Sequence, residues 1–480
     1  PASILALLFC SHAPVRSQRM DTVRLRAIDE LARQGSGGFA WLEHSTRTIG
    51  HRLTGSDNGR RAEAHADSLF RVAGVPTVGM LPFRAPAWRR GSLEVELQVG
   101  QGERSRLDAV ALAMTPDSAF VQADVIDLGN GLAADLLKVG DGIKGRIGLV
   151  NLQLVDAASG TPNLHRSEKT ALAIQHGAAG VLFVNNVPGH VLLTGTASVS
   201  STAVPIPAVC ISHEDGAMLR TTLASGSKVS VTIRMRNTSS TVEARNVFAR
   251  IPGTEHPEEV VLVGGHLDCW DLATGATDNG LGAYSILDMA RCLSALDARP
   301  ARTIEFVLFM GEEQGLLGSS ALVAERKANG TLDRIKCMVN LDMSGHPRGS
   351  NVFGPAALCT TVKEAQEAMR TLDTTFAAAF STASGLHSDH QPFMMQGIPV
   401  IAPICDLGEH VYHCYHSSCD DVGLVEPSAM VDNVRRVGQL VWCLANAPSL
   451  PAGFTDNELR ERLKADGLEE KLRLQGEWRW

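Results

Sequence analysis

The chain has 480 residues, 44% of them hydrophobic and 20% charged, a balance that excludes a disordered or fibrous protein and implies two or three globular domains. A formal net charge of -8 argues against nucleic acid as a partner, because phosphate binding needs concentrated basic charge. The runs Arg60-Arg61 and Arg89-Arg90 are too short to supply it and read as solvated surface.

Residues 2–10, ASILALLFC, form an apolar run too short to span a bilayer but suited to the h-region of a secretory signal. Val15-Arg16-Ser17 puts small or medium residues at the -3 and -1 positions. Residues 1–17 are therefore expected to be a signal peptide cleaved before Gln18, making the protein secreted or periplasmic; a buried N-terminal segment is the competing reading. No other apolar stretch is long enough for a membrane span. Residues 18–117 open a first domain part, with helical periodicity in VRLRAIDELARQ and AEAHADSLFRVAG, the turn-rich GHRLTGS between them, and the alternating strand SLEVELQV after.

From 118 to 236 the character changes to short strands, FVQADVIDL, RIGLVNL, GVLFVNN, PIPAVCIS and KVSVTIRM, with one helix, KTALAIQHG. This reads as a separate β-rich module. Residues 237–450 alternate strand and helix (NVFARIPG, VVLVGG, LGAYSILDMARCLSAL, TIEFVLFMG, GSSALVAERKA, IKCMVNLDM), which predicts an α/β fold with a mixed, largely parallel sheet flanked by helices. Residues 451–480 form a helical tail whose Leu459, Leu463, Leu468 and Leu472 share a face, a candidate subunit contact in a homodimer. Ten cysteines are too few for a disulfide framework. Cys414 and Cys419 bracket His416 and would staple its loop in an oxidising compartment; two reduced thiols are the alternative.

The chemistry gathers where predicted strands run out, at the carboxyl ends where ligands collect in open α/β sheets. VVLVGG leads to His266-Leu267-Asp268, TIEFVLFMG to Glu312-Glu313, and IKCMVNL to Asp342. His266 and Asp268, two apart on extended chain, face the same side, so Asp268 could accept a bond from the ring nitrogen that His266 does not give to a metal. Asp278, in GATDNG before an amphipathic helix, is either a helix cap or a carboxylate bridging two cations. Glu312 and Glu313 can serve one site only on a turn, which Gly311 and Gly315 provide; one would bind metal and the other take a proton from water. A lone buried Asp342 would be costly if charged and unpaired, a cost a cation removes. His416 offers a neutral imidazole, with Asp420 to orient it or its loop, while His410 and His413 compete for the role. Two histidines and three carboxylates suit zinc.

The order HLD, GATDNG, GEEQGLLGS, NLDM and YHSSCDD resembles the co-catalytic zinc aminopeptidase family. HLDCWDLATGATDNG, GHRLTGS and AWRRG look most like its carboxypeptidase Q branch, and the β-rich module, through GDGIKGRIGLVNL and ALAIQHGAAGVLFVNN, resembles the protease-associated domain, which implies an insert that carries no chemistry of its own. The resemblance implies a zinc exopeptidase fold that holds two zinc ions on His266, Asp278, Glu313, Asp342 and His416. Asp278 would bridge them, Glu312 would be the general base and Asp268 would assist catalysis. Two such ions would sit roughly 3.5–4 Å apart and act on a shared water. The implied substrate is a dipeptide or short peptide with a free N-terminus; an aminopeptidase acting on longer peptides is the alternative, and a noncatalytic receptor-like relative a weaker one. Asn279, Leu281, Tyr415 and Ser388-Asp389-His390 depart from the branch pattern and bear on substrate choice.

Overall fold

The computed structural model describes residues 21–480, so the expected signal segment lies outside the described residues. Three helices come first: α1 (Thr22–Gly35), α2 (Gly38–Thr48) and α3 (Asp57–Val72). The helical periodicity predicts α1 and α3, each capped by a side-chain oxygen on a backbone N–H, Asp21 on Arg24 and Ser56 on Gly59. The additional helix α2 begins at two glycines with little local helix signal. It is stabilised from outside, by burying Leu42 and packing on the helix at residues 281–295.

A long antiparallel ribbon follows. β1 (Thr77–Val99) and β8 (Val229–Ile251) are both 23 residues long and pair along almost their whole length, with a register shift between Arg89 and Ser92. Pro82 and Pro86 of β1 lie where β8 is its sole partner, so their missing N–H groups face an open edge. Between the two strands come β2 (Arg104–Leu107), β3 (Ala109–Ala111), β4 (Ser118–Asp127), α4 (Ala133–Val139), β5 (Ile147–Asn151), α5 (Arg166–Gln175), β6 (Gly180–Val184), β7 (Ala208–Ile211) and α6 (His213–Ala224). β4, β5, β6 and β7 pair in parallel succession, and β3 closes antiparallel on β7. β4 also pairs with β8. β8 thus runs unbroken through residue 236 and belongs to both layers.

The remainder is β9 (His256–His266), α7 (Leu281–Ala295), β10 (Arg302–Phe309), α8 (Leu317–Ala328), β11 (Ile335–Asn340), β12 (Gly349–Phe353), α9 (Ala356–Leu372), β13 (Ala379–Ser381), α10 (His390–Met394), β14 (Val400–Ile404), α11 (Glu409–His413), α12 (Pro427–Asp432) and α13 (Gly438–Ala445). Strand order is β13-β12-β14-β11-β9-β10-β8, with β14, β11, β9 and β10 mutually parallel. Along β9, Val261 and Val263 enter one core with α1, α3, α7 and α13, while Val260 and Leu262 enter a second core with α8 and α10. Burial on both faces explains why these strands read as continuous apolar runs.

The tail forms two helices, α14 (Asp456–Ala465) and α15 (Glu469–Gln475), separated at Gly467, which takes φ +72. Leu459, Leu463, Leu468 and Leu472 are buried in the chain's own second core. That row is therefore spent within the chain, which corrects the expectation of a subunit contact there. Among the described residues no helix is long and apolar enough to cross a membrane.

Candidate active site

The carboxyl ends of β9, β10 and β11 open into a cavity of about 490 Å³. His266 is the last residue of β9, Asp342 lies two residues past β11, and Glu312-Glu313 lie on the turn after β10. Gly311 (φ 84) and Gly315 (φ 117) flank that turn in conformations that disfavour side chains, as their sequence positions predict. Asp278 sits on the segment entering α7 and makes no helix-capping bond.

The oxygens of Asp278 face different imidazoles. His266 Nε2 is 3.2 Å from Asp278 Oδ1 and 3.4 Å from Asp342 Oδ1, whereas His416 Nε2 is 3.0 Å from Asp278 Oδ2 and 3.1 Å from Glu313 Oε2. His410 and His413 lie on exposed α11, away from this cluster. Glu312 lines the same cavity beside them.

The supporting bonds differ from the simplest expectation in one respect. The Nδ1 of His266 faces the backbone carbonyl of Asp268 at 3.1 Å, while the Asp268 carboxylate stands at 3.7 Å. That carboxylate accepts instead from Thr54 Oγ1 at 3.0 Å and from the Glu312 backbone N–H at 3.2 Å. It therefore ties the Glu312 turn to the GHRLTGS segment. Asp420 orients the Asp278 loop and not His416, accepting from Thr277 N, Thr277 Oγ1 and Asp278 N. Ser388 donates to Asp342 Oδ2 at 2.5 Å and accepts from Asn340 at 2.8 Å.

Electrostatics mark the cluster as strained without a cation. Burial pushes the Glu313 carboxyl up to about 7 and raises Glu312 well above the usual range. Burial alone would lower His266, but the carboxylates of Glu312 and Asp342 override it and hold the ring well above its ordinary value. His416 is raised against burial mainly by Glu313. Burial likewise opposes ionisation of Asp278, yet hydrogen bonds to both imidazoles hold it below the usual carboxylate range. The buried Glu313 Oε1 has no hydrogen-bond partner among the described residues. His266, Asp278 and Glu313 offer ligand atoms within 4.8 Å of one another, as do His266, Glu312 and Asp342. A donor set of this kind, with an orphaned carboxylate oxygen turned inward, fits a divalent cation.

Several site residues escape the sequence reading. Arg52 is fully buried and donates to the carbonyls of Leu267, Thr274 and Gly275, clamping the loop that links His266 to Asp278. The insert contributes Arg166, whose Nη2 lies 3.1 Å from His416 Nδ1, and Thr194, whose N–H donates to the His416 carbonyl. Gln475 of the tail also lines the cavity. The sequence signal for Arg166 is the polar five-residue segment HRSEK opening a helix otherwise read from its apolar half. Cys414 and Cys419 are joined in a disulfide next to His416.

A mixed sheet carrying a buried imidazole–carboxylate cluster at its strand ends defines a hydrolase-like α/β domain with a β-rich module set before it. Residues 246–441 match the model of Peptidase family M28, and residues 118–219 that of the PA domain. Residues 246–441 thus form a domain of peptidase family M28, and residues 118–219 a PA domain. It is similar to carboxypeptidase Q of Bos taurus, at 25% identity over 404 residues covering 83% of this chain and 82% of that relative. The fold is shared with a peptidase M28 precursor from Shewanella amazonensis (TM-score 0.77, 23% identity, 91% of this chain and 99% of that one). A zinc aminopeptidase from Bacillus subtilis shares it as well (TM-score 0.63, 22% identity, 88% of this chain and 98% of that one).

Proposed function

We propose that the chain is a zinc-dependent exopeptidase that hydrolyses dipeptides or short peptides with a free N-terminus. The observation that carries this is the arrangement around Asp278, whose two oxygens face His266 and His416 at 3.2 and 3.0 Å, each imidazole having a second carboxylate beside it. His266 and Asp342 would hold one zinc, His416 and Glu313 the other, with Asp278 shared. Zinc bound there supplies Lewis acidity, polarising the scissile carbonyl and acidifying the attacking water. Glu312 takes the proton from water as its oxygen attacks the carbonyl carbon, then delivers it to the departing amine nitrogen as the C–N bond breaks. Burial that raises the Glu312 carboxyl favours a group able to hold that proton between the two steps. Asp268 assists by fixing the Glu312 backbone through its accepted N–H bond.

The Cys414–Cys419 disulfide supports residence in an oxidising compartment, secreted or periplasmic. Helices α1 to α3 share a core with residues 246–445, which supports assigning 18–117 and 237–450 to one peptidase domain, with 118–236 as the PA insert and 451–480 as its tail. The test is a hydrolysis panel of free dipeptides, amino-acid p-nitroanilides, longer peptides and N-blocked peptides, with and without chelator. Chelator-sensitive cleavage of dipeptides is expected; cleavage of N-blocked peptides, or cleavage indifferent to chelator, would overturn the reading. Preferential trimming of long peptides from the N-terminus would favour an aminopeptidase, the activity named for the Bacillus subtilis neighbour.

A further inference from the structure

The PA insert places a cation in the cavity for which the cluster chemistry has no use. Arg166 is the first residue of α5 and is 9% exposed. Its Nε is buried without a hydrogen-bond partner, and no carboxylate lies within ion-pair distance of it among the described residues. Its one contact, His416, is an imidazole and not a counter-ion. The other buried charges of α5 are satisfied. Glu168 accepts from Gln475 and from the His165 backbone, and Lys169 donates to the carbonyls of Asn151 and Leu152. A buried guanidinium is rarely left unpaired. The fold also makes room for it: a side chain at Gly195 (φ +131) would collide with the guanidinium. His165, Arg166 and Ser167 line the cavity together; the start of α5 is itself capped, by Glu168 on the His165 N–H and by His165 Nδ1 on the Ser167 N–H, which leaves the Arg166 side chain as the open cationic group there.

We propose that Arg166 binds the free C-terminal carboxylate of the substrate, and does so one residue beyond the scissile bond. The reach of the chain sets that distance. One residue advances an extended chain by at most about 3.6 Å, and Arg166 directly touches His416 of the cluster, so in an extended substrate the residue next to the scissile bond brings its carboxylate nearest and each further residue carries it away. The assignment rests on the peptidase reading above.

The experiment compares zinc-loaded wild type, Arg166→Met and Arg166→Lys on alanyl-leucine, alanyl-leucinamide and alanyl-leucyl-alanine. The expected wild type prefers the free dipeptide over its amide and over the tripeptide. Arg166→Met should lower the dipeptide-to-amide ratio of kcat/KM by roughly 10- to 100-fold, the worth of a charge-assisted bond, mainly through KM, with partial retention in Arg166→Lys. A purely structural role through His416 would depress both substrates equally, leave the ratio unmoved and overturn the proposal, as would a wild type indifferent to the amide. Calorimetry with N-acetyl-leucine and N-acetyl-leucinamide reads the same contact without turnover. There the preference for the carboxylate should vanish in Arg166→Met, and its persistence overturns the proposal. A chain that discriminates the two yet hydrolyses nothing would uphold Arg166 while sinking the peptidase reading.

Discussion

Replacing Arg52 by Met removes a clamp that spans three backbone carbonyls, Leu267 at 2.6 Å, Thr274 at 2.7 Å and Gly275 at 2.8 Å. Hydrogen bonds to a charged group are worth about 1.5–3 kcal/mol each, so the gross loss is about 5–9 kcal/mol. Relief from burying a guanidinium returns several kcal/mol of that, and the net destabilisation should be about 3 kcal/mol. The loss falls on the loop from 267 to 275, which joins His266 to the Asp278 segment and carries Asp268. Zinc affinity should therefore weaken at least about tenfold, because a loosened loop must be ordered again on binding. Lysine cannot rescue it, since one ammonium cannot reach carbonyls spread around a planar fork. Denaturant unfolding and zinc titration against a competing chelator measure the two effects. A variant with wild-type midpoint and zinc affinity within twofold would refute the clamp.

The two adjacent glutamates should fail differently. Glu312→Gln should keep near-normal zinc content and lose about 10²–10⁴ in kcat with KM little changed, whereas Glu313→Gln should lose zinc and recover partly when zinc is added; metal analysis with steady-state kinetics distinguishes them, and zinc rescue of Glu312→Gln alone would reverse the roles. Asp278→Ala should lose tight zinc binding altogether, because two cations no longer share a carboxylate between them, and two tightly held equivalents in the purified variant would dismiss the bridge. Burial lowers the Lys169 ammonium to about 8 from 10.5. A depressed lysine costs folding stability in full below its folded pKa, and the cost fades as pH rises from about 8 toward 10.5. The melting temperature of wild type relative to Lys169→Met should rise across that window, and a flat difference would count against a charged, buried Lys169.

How far the sequence could be read followed from where each signal resides. The central strands were legible because burial on both faces makes them apolar throughout, and all eight residues of β10 are buried. His266, Asp278, Glu312, Glu313 and Asp342 were legible because each closely follows such a strand or sits on a turn marked by glycine, whereas His416 has neither signal and was singled out from His410 and His413 only by the resemblance. Helix α2 was not, since its stability comes from packing on α7 and not from local pattern. The pairing of β1 with β8 along their full length was hidden too, because only SLEVELQV alternates cleanly while the Pro82–Pro86 half does not. The partner of the Asp268 carboxylate was misassigned for a geometric reason. Its proximity to His266 in sequence suggested the imidazole, but the chain turns after β9 and delivers the carboxylate to Thr54, 214 residues earlier.

The insert expected to carry no chemistry turns out to brace the site at three points. Thr194 donates its N–H to the His416 carbonyl, Ser201 donates to the Gly315 carbonyl at 3.2 Å, and Arg166 meets the His416 ring. The first and third fix the loop of one imidazole, and the second fixes the turn that carries both glutamates. None of these residues offers a carboxylate or imidazole to the cluster, so each acts on the position of a cluster residue and not as a candidate ligand. β8 belongs to both layers without a break, so the insert is joined to the peptidase sheet through a continuous strand. A module attached in that way, with a cationic side chain turned into the cavity, forms one wall of the site, and its placement relative to β9 and β10 sets how much room the cavity leaves beside the imidazole–carboxylate cluster.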